Sequence, residues 1–168
     1  MAFDTLIREM TQAAARGDGH AVARCFTEDG IYHDVFYGSF RGPEITDLIE
    51  NHFHRDGKNF AWDIHHPVQE GDIGYARYVF SYDSQLPRFR GRRGIFEGVA
   101  ICSLRDDRIT DYREVATAAS GLHLLGFSAE AIHRFIKRDT EHLLGRPESA
   151  GHLDATAVRS SSEHLAPE

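Results

Sequence analysis

Features that would indicate a membrane or an oxidising compartment are scarce in this sequence. Two of the 168 residues are cysteines, and both Cys25 and Cys102 lie within apolar stretches. Two such residues supply neither a disulfide framework nor a metal cluster, so we expect a reducing cytoplasm. No apolar run is long enough to cross a bilayer, and we expect no membrane partner. The first ten residues are acidic and amphipathic, so we expect no secretory signal.

An excess of basic charge is also missing. The formal net charge is −7 at pH 7, with 26 acidic residues against 19 lysines and arginines, which disfavours binding to a phosphate backbone. One basic cluster, formed by Arg88, Arg90, Arg92 and Arg93, lies in a stretch that contains glycine and proline. It could hold a small anion, but we interpret it as a solvated turn, and we expect no nucleic-acid partner.

Helical periodicity is clearest in the N-terminal part. Apolar residues at three- and four-residue steps from Phe3 to Ala14 predict a first helix, which ends at the glycines on either side of Asp18. A short second helix is predicted over 19–26, with this aspartate as its cap. A third is predicted over 43–54, where proline and glutamate suit the first turn.

Strand character dominates much of the remaining chain. The β-branched and aromatic residues over 31–37 predict a first strand. Further strands are predicted over 60–68, 73–83, 94–104 and 108–116. Short turns between long neighbouring strands favour an antiparallel sheet.

A last helix is predicted over 129–144, with Ser128 as its N-cap. The apolar periodicity then ends, so we expect one domain over residues 1–146 and a mobile tail over 147–168. The order of elements predicts an α+β fold: a cone-shaped, curved antiparallel sheet wrapped by three N-terminal helices, plus a C-terminal helix. Such a cone encloses a pocket.

Three segments, in chain order, resemble a known superfamily. Residues 25–34, CFTEDGIYHD, are similar to the segment of ketosteroid isomerases and SnoaL-like proteins in which a short helix precedes the strand with the catalytic aspartate. Residues 38–45, GSFRGPEI, resemble the step into the third helix, and residues 104–114, LRDDRITDYRE, resemble the closing hairpin. By this resemblance, which covers residues 1 to 127, the chain is identified as a SnoaL-like, ketosteroid isomerase-like member of the nuclear transport factor two-like superfamily. The fold hosts isomerases, dehydratases, cyclases, epoxide hydrolases and proteins without activity, so it does not define a reaction.

Asp34 is the first candidate for a catalytic base. Its neighbours are mostly apolar, a setting in which a carboxylic acid can act as a general base. The resemblance implies that the matching residue of ketosteroid isomerases shuttles the proton. The alternative is that Asp34 caps a turn or pairs with an arginine. Tyr32 shares the strand face of Asp34 and could donate a hydrogen bond to an enolate or a carbonyl, or could be an ordinary half-buried aromatic residue.

Arg77 and Glu114 are candidates by resemblance to limonene epoxide hydrolases. Residues 112–114, Tyr-Arg-Glu, are similar to a trio in the closing hairpin of those enzymes, and Arg77 resembles the arginine that bridges their acidic pair. Their second aspartate is replaced here by Val79, which argues against an epoxide hydrolase. A buried Arg77 would need an anionic partner, for which Glu114 and Asp34 are the candidates, and a purely structural pair is the alternative.

The adjacent His65 and His66 offer another base. Strand alternation lets one of them face inward in either register, and the alternative is that both are ordinary surface histidines. A histidine opposite an aspartate resembles the dyad of scytalone dehydratase. Together with Asp63 they could also bind a metal, but no spacing of three ligands is recognisable, so we expect neither a metal nor a cofactor.

These candidates support two hypotheses about function. The first and preferred one is a cofactor-independent acid–base enzyme, an isomerase, dehydratase or cyclase, that acts on a small, mostly apolar carbonyl or hydroxylated compound. We do not expect a steroid isomerase, because both members of the oxyanion pair of those enzymes are missing: the first helix has no tyrosine, and the strand position of the protonated aspartate falls near Ala100. The second is a non-catalytic ligand-binding or assembly module. Apolar residues on both faces of strand 73–83 predict a homodimer through the outer face of the sheet under either hypothesis.

Overall fold

The computed structural model describes residues 2–152. These residues belong to two compact units, one ending at Phe127 and the other beginning at Ser128. Most of the tail expected over 147–168 lies outside the described residues. The domain expected over 1–146 therefore stays a prediction.

The first three helical regions of the first unit are ones that the sequence predicts. They are α1 (Phe3–Arg16), α2 (Gly19–Arg24), and α3 (Glu44–Asp47) with its continuation through a π-helical stretch (Leu48–Phe53) into α4 (His54–Asp56). The apolar face of α1 is buried, as its periodicity predicts. Asp18 caps α2 by accepting a hydrogen bond from the Ala21 N–H at 2.8 Å.

One curved, unclosed sheet of six strands faces these helices. The strands are β1 (Phe26–Asp34), β2 (Gly38–Arg41), β3 (Gly57–Glu70), β4 (Ile73–Ser84), β5 (Arg93–Arg105) and β6 (Arg108–Ala116). Their order in the sheet is β2-β1-β6-β5-β4-β3. The predicted α+β class is confirmed. The sequence does not predict β2, and it places the start of β1 five residues late.

One pairing in the sheet differs from the antiparallel expectation: β1 is parallel to β6. Short turns favour antiparallel pairing only for strands that follow one another in the chain. Strands β1 and β6 do not, because β2 to β5 lie between them in the sequence. A connection of that length allows parallel pairing. Tyr32 lies opposite Tyr112 in this register, so the residues two positions farther along, Asp34 and Glu114, come to the same end of the sheet.

Alternation decides which side chains of the sheet face the core. Along β5, every second residue from Gly94 to Leu104 is buried. This face packs with the buried side of α1 and with the α3–α4 region, and the fully buried aliphatic residues include Leu6, Ile7, Met10, Ile45, Leu48 and Ile49. Toward the other end of the sheet, aromatic residues replace the aliphatic ones, and a cavity remains.

A further helix, α5 (Ala118–Leu125), follows β6 and is missed by the sequence analysis. Its buried residues, Ala118, Gly121, Leu122 and Leu125, have helical spacing, so the signal is present in a short segment. Gly121 packs on the ring of Phe96, and a Cβ atom at residue 121 would overlap that ring.

The second unit contains α6 (Ala129–Leu144) and a 3₁₀ turn (Pro147–His152). The Ser128 hydroxyl accepts a hydrogen bond from the Ala131 N–H at 3.3 Å. The helix and its cap agree with the prediction from the sequence.

The contact of Gly121 with Phe96 leads to a first prediction. Exchange of glycine for alanine inside a helix normally stabilises it by up to about 1 kcal/mol. Here we expect Gly121→Ala to lower the free energy of unfolding by about 1–3 kcal/mol, because the added methyl group overpacks the site. Urea denaturation measures the effect, and Ser120→Ala, at the exposed neighbouring residue of the same helix, is the matched control. A stabilised Gly121→Ala protein would contradict the packing described.

Candidate active site

A cavity of about 210 Å³ lies in the first unit. Most of its wall is aromatic, with rings from Tyr32, Phe36, Tyr37, Phe53, Phe60, Trp62, Tyr78, Phe80, Tyr82, Phe96 and Phe127. Three carboxylic acids also line it: Asp34, Asp56 and Glu114. The structure therefore brings three of the six sequence candidates, Tyr32, Asp34 and Glu114, to one cavity.

Glu114 lies on β6 and is partly buried. Its Oε2 atom accepts hydrogen bonds from the Tyr78 hydroxyl at 2.5 Å and from the Tyr112 hydroxyl at 3.3 Å. Burial disfavours the charged form, and the negative charge of Asp34 adds to this effect, so the pKa of Glu114 is raised to about 7. The two hydroxyls offset part of the rise. Glu114 can thus hold or release a proton near neutral pH.

Tyr78 reaches Glu114 because a glycine on the neighbouring strand leaves space. Gly98 lies opposite Tyr78 in the β4–β5 register, and a Cβ atom at residue 98 would lie 2.5 Å from the Tyr78 hydroxyl. Burial, and then the charge of Glu114, raise the pKa of Tyr78 far above its usual range. Its hydroxyl therefore stays protonated and serves as a donor.

Tyr32 is buried beside the same group of residues. Its ring lies against that of Tyr112, with 4.4 Å between the ring centroids. Burial raises the pKa of Tyr32 well above its usual range, and the charge of Glu114 contributes to the rise. This hydroxyl also remains protonated at any physiological pH.

Asp34 ends β1 and lines the cavity. Its Oδ1 atom accepts hydrogen bonds from the backbone N–H groups of Phe36 and Tyr37, both at 2.8 Å. The sequence left open whether this aspartate caps a turn or faces the pocket, and it does both. The turn fixes the position of the carboxylate at the wall.

Asp56 is the third carboxylate of the wall, and it is held as an anion. Arg55 donates to both of its oxygens, at 2.6 and 2.7 Å, and the Tyr37 hydroxyl donates at 2.8 Å. These hydrogen bonds, with that from Arg55 the largest cause, lower the pKa of Asp56. Its charge is therefore compensated, and it is not suited to exchange protons with a ligand near neutral pH.

The expected place of Arg77 in the pocket is wrong. On β4 the buried residues are Ala76 and Tyr78, so alternation turns Arg77 to the outer face of the sheet. There its Nε atom lies 2.7 Å from Oε1 of Glu97, and both side chains are exposed. The hydroxyl of Tyr78 takes the place beside Glu114 that the sequence analysis gives to Arg77.

The expectation that either His65 or His66 faces the pocket is also wrong. Ile64 takes the buried position on β3, so His65 faces outward, opposite Arg77. A register shift follows, and His66 is exposed with φ at +49°. The wall that β3 contributes to the cavity is made instead by Phe60 and Trp62.

Sequence reasoning misses several residues of the wall. Tyr78 has a readable signal, because Tyr78, Phe80 and Tyr82 recur at every second position of the predicted strand and could have been taken as its inward face. Asp56 has no such signal, since it ends a helix and reaches the cavity only through the tertiary fold. Leu122 belongs to the unpredicted α5.

Thiol and metal chemistry are not supported by the described residues. Burial raises the pKa of the Cys25 thiol to about 11 and that of the Cys102 thiol to about 12, so neither is a thiolate at neutral pH. Within residues 2–152 no group of three histidine, cysteine, aspartate or glutamate side chains is arranged to hold a metal ion. In the same range, every helix is too short or too polar to span a membrane.

The raised pKa of Glu114 leads to a second prediction. Between about pH 4.5 and 7 the native carboxyl group keeps a proton that the unfolded chain releases, so stability falls as the pH rises through this range. We expect Glu114→Gln to gain roughly 3 kcal/mol in free energy of unfolding relative to the wild type between pH 4.5 and pH 8. Urea denaturation of both proteins at the two pH values measures this difference. A difference that does not change with pH would show that the carboxyl group ionises normally.

Comparison with known proteins places the geometry in a family. No curated protein matches the chain. Among solved structures, an LEH-like epoxide hydrolase from M. tuberculosis is 18% identical, with a TM-score of 0.59 and coverage of 72% of this chain and 86% of that one. A protein with a ketosteroid isomerase-like fold from Catenulispora acidiphila, in complex with trimethylamine, is 18% identical, with a TM-score of 0.66 and coverage of 74% and 95%.

A third structure is that of IdmH from Streptomyces antibioticus, whose assignment as a polyketide cyclase is itself a proposal. It is 17% identical, with a TM-score of 0.59 and coverage of 74% of this chain and 98% of that one. At these identities the structures show a shared fold. A family model described as a SnoaL-like domain matches residues 7–112, which is more than half of the sequence. The chain therefore belongs to the family of SnoaL-like domains, as its three sequence segments indicate.

Proposed function

We propose that this protein is a cofactor-independent acid–base enzyme, of the isomerase, dehydratase or cyclase type, acting on a small carbonyl or hydroxylated compound. The observation that carries the proposal is the placement of Asp34 and Glu114 in one aromatic cavity, where the pKa of Glu114 is raised to about 7. Two carboxylic acids whose environments separate their affinities for protons form an acid–base pair. SnoaL-like family membership agrees with this type of chemistry.

Asp34 is the proposed base. Its carboxylate takes a proton from a carbon next to a carbonyl group, and the electron pair of that C–H bond moves toward the carbonyl oxygen. The resulting enolate accepts hydrogen bonds from donors in the wall, for which the hydroxyl of Tyr32 and the protonated carboxyl group of Glu114 are available. Asp34 then returns the proton to another carbon, which completes an isomerisation. In a dehydration, the substrate instead loses a hydroxyl group, and Glu114 protonates that group so that it leaves as water.

The aromatic wall supports this chemistry by excluding water. An enolate gains more from fixed hydrogen-bond donors in an apolar cavity than in solvent, because the donors are less screened there. The volume suggests a small substrate. An apolar cavity of about 150 Å³ holds one benzene molecule, so about 210 Å³ suits a compound somewhat larger than one ring.

Hydrolysis of epoxides has less support. One structural neighbour is an LEH-like epoxide hydrolase, but the residue of this chain that resembles the bridging arginine of those enzymes, Arg77, lies on the outer face of the sheet. Non-catalytic ligand binding is the alternative that one observation favours, since another neighbour is a complex with trimethylamine and has no stated activity.

The acid–base proposal leads to a third prediction, which does not require the natural substrate. Deuterium exchange into the α-carbons of a panel of small cyclic and aryl ketones, followed by NMR, reports directly on proton abstraction. We expect the wild type to accelerate exchange of at least one ketone, and Asp34→Asn to lower that rate by about 100-fold or more, the size of a general-base contribution. Asp63→Asn, at an exposed residue of β3 outside the cavity, is the control. Equal rates for Asp34→Asn and the wild type would remove Asp34 from the mechanism.

We also propose a homodimer formed through the outer face of the sheet. Large apolar side chains are exposed there, namely Ile73, Tyr75, Ile95, Val99 and Val115. Val99 and Val115 are direct cross-strand partners on β5 and β6, so these two apolar side chains are adjacent on this face. A surface of this kind is typical of a protein interface.

The dimer gives a fourth prediction. We expect the wild type to sediment as a dimer at micromolar concentration and Val99→Arg to sediment as a folded monomer, because the new charge would be buried without a partner. The control is Leu124→Arg, at an apolar residue that is also exposed but lies on α5. A monomeric wild type would contradict this arrangement.

A cytoplasmic location also remains a proposal. It rests on Cys25 and Cys102, which are buried thiols without a disulfide.

A further inference from the structure

Three polar side chains meet on the sheet outside the cavity, and none of them lines it. They are His33 from β1, Ser39 from β2 and Asp111 from β6. The Ser39 hydroxyl lies 2.7 Å from Nδ1 of His33, and Nε2 of the same ring lies 3.0 Å from Oδ2 of Asp111. A hydroxyl bonded to an imidazole, which a third group orients, is the arrangement of an activated nucleophile.

We propose that Ser39, His33 and Asp111 form a second catalytic site, which hydrolyses small carboxylic esters at the surface. The proposal goes beyond the acid–base function of the cavity and does not rest on it. The Ser39 oxygen attacks the ester carbonyl carbon while His33 takes the hydroxyl proton, and His33 then gives this proton to the alcohol as the ester C–O bond breaks. Water hydrolyses the acyl-serine by the same two steps, which releases the carboxylic acid and restores the serine.

The hydrogen bonds define the protonation state that this chemistry needs. A carboxylate only accepts hydrogen bonds, so Nε2 of His33 carries the hydrogen that points to Asp111. Nδ1 of the neutral ring is then an acceptor, to which the Ser39 hydroxyl donates. Burial of Asp111 opposes its ionisation, but hydrogen bonds from Arg113 and His33 outweigh this effect and lower the pKa of the carboxyl group. Asp111 is therefore an anion at neutral pH and can stabilise the imidazolium that forms during the reaction.

The register of β1 and β2 fixes the contact between Ser39 and His33, which are direct cross-strand partners. The Gly42 N–H donates to the Gly30 carbonyl at 2.9 Å, so alternation along the ladder makes His33 and Ser39 a non-hydrogen-bonded pair, in which side chains are closest. The N–H of Ser39 then points away from β1, and β2 is the edge strand of the sheet. This N–H can donate to the oxyanion at the attacked carbonyl, as the N–H of the nucleophile does in serine proteases.

Exposure also suits this division of roles. The side chains of His33 and Asp111 are 36% and 25% exposed, whereas Ser39 is exposed and open to a substrate. Gly38 precedes the serine with φ at +94°, and a Cβ atom there would meet no atom within 4 Å. The apolar residues of the proposed dimer surface lie on β4, β5 and β6, so they leave the edge strand open. Esters are the assigned class because an alcohol leaves more readily than an amine, and an open site adds little stabilisation of its own.

A covalent probe tests the site without knowledge of the natural ester. Diisopropyl fluorophosphate forms a bond between its phosphorus atom and an activated serine oxygen, and fluoride leaves. By peptide mass spectrometry we expect the label on Ser39 and not on Ser103. Ser103 is an exposed serine on β5 that lies opposite Asp111, but no histidine of the described residues is bonded to its hydroxyl.

Variants locate the reactivity. We expect Ser39→Ala to lose the label and His33→Ala to react about 100-fold or more slowly, the size of a general-base contribution. Added imidazole should restore labelling of His33→Ala but not of Ser39→Ala. Asp111→Asn should also slow the reaction, because an amide N–H beside Nε2 favours the wrong tautomer. Ser103→Ala is the matched control and should react like the wild type.

Hydrolysis of p-nitrophenyl acetate is the second measurement. We expect Ser39→Ala to lower its rate by about tenfold or more, and Ser103→Ala to leave it unchanged. An unlabelled Ser39, equal labelling of Ser39 and Ser103, an unchanged labelling rate in His33→Ala, or unchanged ester hydrolysis in Ser39→Ala would each overturn the proposal. The function proposed for the cavity is tested separately, by the Asp34-dependent exchange of ketones.

Discussion

The parallel pairing of β1 with β6 is the constraint on which the candidate site depends. These strands are far apart in the sequence, and their register sets Tyr32 beside Tyr112. Each strand then carries an acidic residue two positions farther on, and both acids reach the same cavity. In an antiparallel pair of the same strands, Asp34 and Glu114 would point to opposite ends of the ladder. The chemistry of the cavity is thus a consequence of strand direction as much as of residue type.

Bringing two carboxylic acids together in an apolar cavity is costly, and the structure shows how the cost is limited. For Glu114, a pKa raised to about 7 and hydrogen bonds from two tyrosine hydroxyls lower this cost. Asp34 is held by two backbone N–H groups of its own turn. The donors to Glu114 are neutral hydroxyls, which, unlike a buried arginine, need no charged partner of their own. Among the residues that line the cavity, carboxylic acids are thus the groups that can carry a charge near neutral pH.

The sequence was sufficient for the elements and for part of the site. Local signals such as the apolar face of α1, the Asp18 and Ser128 caps and the hairpin turns gave the helices and most strands, because each depends on a few neighbouring residues. Asp34 was identified from its apolar neighbours and from family resemblance, Glu114 was identified from resemblance, and their common cavity follows from the fold. Arg77 was misplaced because the inward face of β4 was read from a resemblance, although its own alternation of Tyr78, Phe80 and Tyr82 points the other way. The direction of β1 relative to β6 could not be read locally, since no turn connects them.

The remaining question is why one fold supports so many activities, and this cavity suggests a physical answer. The core on which α1 packs is filled mostly with aliphatic side chains. The cavity wall is instead mostly aromatic, with a few polar groups among the rings. In this chain those groups are acids and hydroxyls, with the side chains of Arg77 and His65 turned to the outer face. A relative with a basic residue at the position of Tyr78 would keep the same cone, yet it would stabilise Glu114 as an anion and lose a proton donor near neutral pH. The charge of this cavity wall is therefore set by which face of a strand each charged side chain occupies.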